Sequence, residues 1–261
     1  EVNALTDLYR NEKNTFAYIT GLENDEKYKL PAVAAINSVI QNVEKDASIK
    51  AYEEKVIATN LLTSTPQAGK VTRTSRNALL GSTELTLSNG VTVTLKSTDF
   101  KNDQILFSTT RYGGLTAYTV EDKYSAENAT AVVGSMGFGS FSPTDMRKAM
   151  AGKSIAVNPV IGQYTAGFSG SSSKRDLENF FQLFHLSVTE PRRDSALYKS
   201  FLQRSKAQVA MLSANPQIAF IDTLYQVLYE KNPLAPTAVP RAANYDKINL
   251  DRALEIYKEQ L

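Results

Sequence analysis

The chain has 261 residues, which is long enough for one large domain or two modest ones that each bury a core. Its formal net charge is +2 and the charges are spread along the sequence, so no basic stripe for nucleic acid and no polybasic membrane patch is expected. The lack of cysteine excludes disulfides and thiolate metal sites, and it suits a cytosolic or a bacterial periplasmic protein. No apolar run reaches the roughly 20 residues of a membrane-spanning helix.

The beginning of the chain indicates a piece of a longer protein. The sequence starts at Glu1 without methionine and shows no signal-peptide pattern. Residues 2–10 have helical spacing, residues 15–21 alternate as in a strand, and further helices are predicted from Pro31 onward and over residues 47–59. Because a lone strand is unstable without neighbours, residues 1–61 are predicted to be the incomplete end of a preceding domain rather than a small helical lead-in.

A change in composition predicts the domain boundary. Residues 62–82 are rich in Thr, Ser, Gly and Pro and lack periodicity, as is typical of a linker, so residues 83–261 are predicted to form one domain. That domain opens with two alternating runs, ELTLSNGVTVTLKST, joined by Asn89-Gly90. Both turn residues tolerate positive φ, which predicts a two-residue type I′ hairpin. A third strand is predicted over residues 104–111, at hairpin distance from the second.

The remaining elements are mostly helical. Ser125 is predicted to cap a helix that ends at Gly134, and Ser142-Pro143-Thr144-Asp145 carries the signals of a second helix start. An aromatic helix over residues 174–188, capped by Ser173, is expected to lie across the sheet with Leu177, Phe180, Phe181 and Phe184 as its buried stripe. Two more strands are predicted over residues 154–158 and 162–169. Three more helices are predicted over residues 195–212, 216–229 and 250–260, the last two capped by Asn215 and Asn249. The order predicts an α+β fold, an antiparallel sheet with helices packed on one face.

Set end to end, these segments resemble a known family. The segments that carry this resemblance are, in order, ELTLSNGVTVTLKSTDFKND, GG, a small-residue helix, FSPTDMRKAMAGKSIAVNP, FSGSSSKRDLENFFQLFHLSVTEPR and NPLAP. Together they are similar to one half-domain of the insulinase and pitrilysin zinc metallopeptidases. The resemblance covers residues 83–261, and residues 1–61 resemble the tail and connecting helices of a preceding domain. It implies repeated α+β domains whose two halves enclose a peptide substrate in a chamber, with zinc in one half only.

The helix after Gly114 departs from the family's catalytic pattern. In the catalytic half that helix holds an inverted His-x-x-Glu-His, in which two imidazoles bind zinc and the glutamate acts as base. Here the helix reads SAENATAVVGSMG, and His185 is the single histidine of the chain. No catalytic and no metal-binding residue is therefore assigned, and the chain is expected to be inactive alone, with zinc held in the catalytic half of the full-length protein. The resemblance indicates the first domain of the silent, C-terminal half of a bacterial member.

Other chemical patterns have simpler structural interpretations. His185 lies between apolar neighbours and is interpreted as a packed or surface residue. Ser171 and Lys174 match Ser-x-x-Lys, but the motif is short and its partner motifs are absent. The remaining candidates are interpreted as follows: Gly134, Gly137 and Gly139 as turn glycines, and Asn128 as part of a glycosylation sequon without meaning in a helix. Arg192, Arg193 and Lys206 are interpreted as solvated basic residues. The peptide-contacting Arg and Tyr of the family's silent half belong to a later domain and are not assigned to Arg111 or Tyr112, so substrate-binding residues stay unknown.

Two functions from different classes follow. The first is a non-catalytic part of a zinc endopeptidase that forms the chamber and encloses the peptide, with the catalytic half of the same polypeptide or a partner subunit as its partner. The alternative is a structural or interaction subunit that has lost proteolysis. The expected compartment is the bacterial periplasm, with the cytoplasm left open; neither nucleic acid nor a membrane-spanning segment is expected.

Overall fold

The computed structural model describes residues 16–20, 30–50, 60–212, 215–230 and 232–261. The chain divides into two compact units, Glu1–Lys55 and Val56–Leu261. The predicted helix 2–10 and most of the predicted helix 47–59 lie outside the described residues. The structure assigns no strand to residues 16–20; the strand predicted over residues 15–21 was expected to pair with a preceding domain, so it stays a prediction.

One helix is described in the first unit. Helix α1, Val33–Lys45, starts two residues after Pro31 and confirms the predicted amphipathic helix. None of its residues is buried within the described chain, and Val33, Val39 and Val43 are all exposed.

The second unit begins with a three-stranded antiparallel sheet, called here the small sheet. Its strands are β1 (Val71–Asn77), β2 (Ser82–Leu87) and β3 (Thr92–Leu95), in the order β1-β2-β3. Leu85 pairs with Val93 across β2 and β3, which confirms the hairpin. Strand β1 lies inside residues 62–82, so the prediction that this segment lacks a strand is wrong. The sequence gives no strand signal there because five of the seven residues of β1 are exposed and neither face shows an apolar pattern. The predicted domain boundaries themselves stay a prediction.

The turn between β2 and β3 differs from the predicted type I′ geometry. Gly90 has a φ of 85°, but Asn89 is not in the positive-φ region. The N–H of Gly90 bonds to the carbonyl of Leu87 at 2.9 Å, and the N–H of Leu87 bonds to the carbonyl of Val91 at 2.8 Å. This is a three-residue loop in which glycine alone takes the left-handed conformation.

A second antiparallel sheet, called here the main sheet, is built around its longest strand. It contains β4 (Ile105–Ser108), β5 (Arg111–Tyr112), β6 (Ile155–Ile161) and β7 (Thr165–Ser172). Strands β4 and β5 pair with one side of β7, and β6 pairs with the other side. The third predicted strand therefore belongs to this sheet and not beside the hairpin, since its partner comes some 60 residues later in the sequence.

Helices complete the second unit. They are α2 (Lys123–Met136), α3 (Pro143–Ala149), α4 (Leu177–Thr189), α5 (Ser195–Leu212), α6 (Pro216–Leu228), α7 (Ala242–Tyr245) and α8 (Leu250–Gln260). The capping box of Ser142 and the side-chain caps of Asn215 and Asn249 are confirmed. Ser125 is not a cap: it lies inside α2, and its hydroxyl accepts a 3.0 Å hydrogen bond from the N–H of Asn249.

Helix α4 lies across the main sheet, as predicted. Phe107 of β4 has its ring centroid 5.1 Å from that of Phe180 and 4.9 Å from that of Phe184. Phe180 is 1% exposed, whereas Phe181 is 49% exposed, so the prediction that Phe181 is buried is wrong. Helices thus pack on one face of an antiparallel sheet, which confirms the α+β fold class.

Candidate functional site

Helix α2 occupies the place that the family resemblance gives to the zinc helix. It packs against α8 and α5, and its buried residues are Ser125, Ala126, Ala129, Val132, Val133 and Met136. Zinc in proteins is bound by imidazole, thiolate and carboxylate groups, none of which this buried face carries. The described residues contain no group of three or more His, Cys, Asp or Glu side chains placed to hold a metal ion. This helix does not fit a zinc ion.

The start of α2 is instead tied to α8 by an ion pair. Arg252 donates to both carboxylate oxygens of Asp122, at 2.9 and 2.8 Å, and a further nitrogen of Arg252 reaches Glu255 and Glu259 at 3.1 Å. The hydrogen bond from Arg252 holds the pKa of Asp122 below its ordinary value. The arrangement is structural, because every charged group in it already has a charged partner.

The glycine pair before α2 is held by the last turn of α8. The side-chain carbonyl of Gln260 accepts from the N–H of Gly114 at 2.8 Å, and its amide nitrogen donates to the hydroxyl of Tyr118 at 3.0 Å. Tyr118 in turn donates to the carboxylate of Glu259 at 2.9 Å. Burial raises the pKa of Tyr118. Gly114 has a φ of 83°, so neither strand nor helix continues through it.

A cavity of about 130 Å³ lies beside the first turn of α2. Its charged lining residues are Lys123 and Glu127, and both are occupied by the loop that follows α6. Lys123 donates to the carbonyl oxygens of Pro233 and Ala235, while Glu127 accepts from the N–H and hydroxyl of Thr237 at 3.1 and 2.6 Å. The cavity therefore offers no free acid or base for catalysis.

The Ser-x-x-Lys motif does not form a catalytic pair. Ser171 lies on β7, and α4 begins only at Leu177, so Ser171 and Lys174 do not share a helical turn. Ser173 donates to the carboxylate of Asp176 at 2.8 Å and accepts from its N–H at 3.1 Å. Ser173 therefore stabilises a turn that precedes α4, instead of capping the first residue of α4 as predicted.

The other candidates are structural. Gly137 and Gly139 have φ values of 87° and 55° in the turn after α2, and a Cβ on Gly137 would clash with the carbonyl oxygen of Phe141. Asn128 lies within α2 and donates to the carbonyl of Tyr124 at 2.9 Å. His185 lies half-buried on α4, and only its backbone carbonyl accepts a hydrogen bond in the described chain.

The basic residues predicted to be merely solvated do make contacts. Arg193 forms two hydrogen bonds to the carboxylate of Asp251, at 2.7 and 3.2 Å, and thereby joins the start of α5 to α8. Lys206 pairs with Asp246, and Arg192 pairs with Asp194 at 3.1 Å. The partners of Arg193 and Lys206 cannot be predicted from the sequence, because they lie 58 and 40 residues away and depend on how the helices pack.

The second unit is an α+β domain with antiparallel sheets, and the buried face of its helix α2 carries no zinc ligand. No family model matches the chain. It is 29% identical over 169 residues to a zinc protease PQQL-like protein of Arabidopsis thaliana, and 27% identical over 166 residues to a probable zinc protease PqqL of Haemophilus influenzae. These matches cover 65% and 58% of this chain but only 17% and 18% of those relatives.

Solved structures agree with the fold. The periplasmic protease PqqL from Escherichia coli matches 88% of this chain with a TM-score of 0.65 and 17% identity, over 25% of its own length. The ferredoxin protease FusC, solved as a point mutant in complex with Arabidopsis ferredoxin, matches 89% of this chain with a TM-score of 0.63 and 19% identity, over 26% of its length. The chain is homologous to the pitrilysin and insulinase family of zinc proteases, over a part of the length of its homologues.

Proposed function

We propose that this chain is a non-catalytic part of a zinc-dependent endopeptidase, which helps to form the chamber and encloses the peptide while a separate His-x-x-Glu-His half carries out hydrolysis. The observation that supports this most is α2: in a chain homologous to zinc proteases, the helix that would hold the metal buries small apolar side chains instead. Zinc and the catalytic base then come from the catalytic half of the same polypeptide or from a partner subunit.

The relatives also support a proposal for compartment and substrate. A structural neighbour is a periplasmic protease, which supports a bacterial periplasmic location. Another neighbour was solved with a protein bound, which supports a polypeptide as the enclosed substrate. None of the described helices is long and apolar enough to cross a membrane.

The test is to assay the full-length protein that contains this segment. The proposal expects zinc in the full-length protein and hydrolysis of a quenched-fluorescence peptide that a chelator abolishes. It also expects that the polypeptide lacking this segment gains activity when the 261-residue chain is added in trans. The matched control is the Gly114→Ala chain, which we expect to fold poorly and to restore less activity.

The alternative is a structural or interaction subunit that has lost proteolysis. It is supported by the same observation as the first proposal, namely that the buried face of α2 carries no zinc ligand. Full-length protein that binds no zinc and hydrolyses no peptide would favour this alternative and refute the first.

A further inference from the structure

The outer edge of β1 is unpaired in the part of the chain that the structure describes. No described strand pairs with it, because β1 is the first strand of the small sheet and its inner edge is taken by β2. Five of its seven residues are exposed. An unpaired strand edge presents a row of backbone donors and acceptors that an extended peptide can complete.

This edge is also positively charged. Arg73 and Arg76 are exposed, and neither forms an ion pair with a described carboxylate. Residues 70–96, which make up the small sheet and its flanks, contain four cations and the single carboxylate Glu84, although the whole chain is close to neutral. Charge on an edge strand discourages self-pairing, and the same charge favours an incoming strand of opposite sign.

The register places the two arginines on opposite faces of the small sheet. Arg73 lies opposite Thr86 and Arg76 lies opposite Thr83, three positions further along each strand. Neighbouring side chains of a strand alternate between faces, so positions three apart point to opposite sides. An added strand meets one guanidinium on each face if its own acidic residues are also three positions apart.

From this edge and from two arginines that have no ion-pair partner among the described residues, we infer that β1 binds an extended acidic peptide segment as an added strand. The backbone supplies the hydrogen bonds, and Arg73 and Arg76 select segments with carboxylates three positions apart. The identification of this segment as part of a substrate rests on the proposed function, whereas the binding itself does not. A globular partner is not required, since any unfolded acidic stretch has the needed chemistry.

The test is a direct binding measurement on the 261-residue chain. A fluorescein-labelled peptide of about eight residues, typical of a strand, carries two glutamates three positions apart among Thr and Val; its counterpart has glutamine at both places. Fluorescence anisotropy is measured at low salt. Two exposed ion pairs predict about fivefold tighter binding of the acidic peptide, and added salt is expected to remove that preference.

Variants and modified peptides separate the two parts of the inference. R73Q/R76Q is expected to abolish the preference for the acidic peptide, whereas R147Q/R204Q, which removes two exposed arginines from α3 and α5, is expected to keep it. Two further peptides carry N-methyl groups on every second backbone nitrogen, one on the odd positions and one on the even positions. N-methylation is expected to weaken binding of only one of the two, because only one set of N–H groups faces β1.

Equal affinity for the acidic and the glutamine peptide, a preference that survives R73Q/R76Q, or unchanged binding of both N-methylated peptides would each overturn the inference. Because this assay needs neither zinc nor hydrolysis, its failure is distinct from failure of the proposed function, which is measured on the full-length protein.

Discussion

The side-chain carbonyl of Gln260 accepts a 2.8 Å hydrogen bond from the N–H of Gly114, across 146 positions of sequence. The bond joins the last turn of α8 to the backbone that leads from the main sheet into α2. Gln260 is 6% exposed, so water does not readily replace the amide if it is removed. The position of α2 against the sheet therefore depends on a side chain of α8.

Removing this amide is expected to destabilise the chain. Gln260→Ala leaves the N–H of Gly114 without its partner, and leaving a buried donor unsatisfied costs about 1–3 kcal/mol. Urea unfolding of the 261-residue chain measures the loss as a lower midpoint at an unchanged slope. Gln217→Ala, at an exposed position of α6, is the control and should shift the midpoint little. Equal midpoints for Gln260→Ala and the parent chain would contradict the role given to this bond.

Gly114 itself is expected to tolerate no side chain. Its φ is 83°, and a Cβ there would clash with the carbonyl oxygen of Gly162. Gly114→Ala combines this backbone clash with strain of about 1–3 kcal/mol, because a φ of 83° with a ψ of −163° is a conformation that essentially only glycine adopts. The control is Gly134→Ala within α2, where a Cβ meets nothing within 4 Å and helix propensity favours alanine by about 1 kcal/mol. Thermal unfolding should move the two variants in opposite directions, and a shared direction would argue against the described backbone.

Two neighbouring phenylalanines of α4 should differ strongly. Phe180→Ala empties a site that is 1% exposed and is expected to cost about 3–5 kcal/mol. Phe181 is 49% exposed, and its truncation to alanine should cost much less. Chemical unfolding of both variants tests which face of α4 lies on the main sheet. A larger loss for Phe181→Ala would mean that the helix is rotated from the described position.

The lowered pKa of Asp176 predicts that the chain loses stability in acid. The N–H of Ser154, the hydroxyl of Ser173 and the guanidinium of Arg175 lower the pKa of Asp176 from 3.8 to about 2. Because the folded pKa lies below the unfolded one, the stabilisation is present above pH 3.8 and is lost as pH falls toward about 2.

The measurement is the free energy of unfolding as a function of pH for the parent chain and for Asp176→Asn. The gap between the two curves should shrink from pH 4 toward pH 2. Asp99→Asn, which neutralises an exposed carboxylate, is the control and should follow the parent curve. A gap that stays constant over this range would refute the lowered pKa.

Local signals predicted more of this fold than distant ones. The caps at Ser142, Asn215 and Asn249 were found because a capping side chain and its backbone partner lie within three residues. The hairpin of β2 and β3 was found for the same reason. The partner of β4 cannot be predicted in this way, because β7 follows some 60 residues later and no sequence pattern specifies which strand is adjacent.

The surface elements were the hardest to predict. Strand β1 carries VTRTSRN, whose Val and Thr residues fit a strand, but its exposed faces give no apolar alternation. Arg73 and Arg76 therefore fall within the predicted linker, where the sequence gives no signal that they lie on a strand. The ion pairs of Arg193 and Arg252 were also missed, since both bridge helices that are distant in sequence.

The zinc content of the purified 261-residue chain tests the central claim most directly. The chain is incubated with zinc, passed through gel filtration and analysed by atomic emission, with peptide hydrolysis measured on the same sample. We expect far less than stoichiometric zinc and no hydrolysis, because the buried face of α2 carries no ligand for the metal and the described residues contain no group of three side chains placed to hold one. Stoichiometric zinc that survives gel filtration, together with hydrolysis that a chelator abolishes, would contradict a non-catalytic role for this chain.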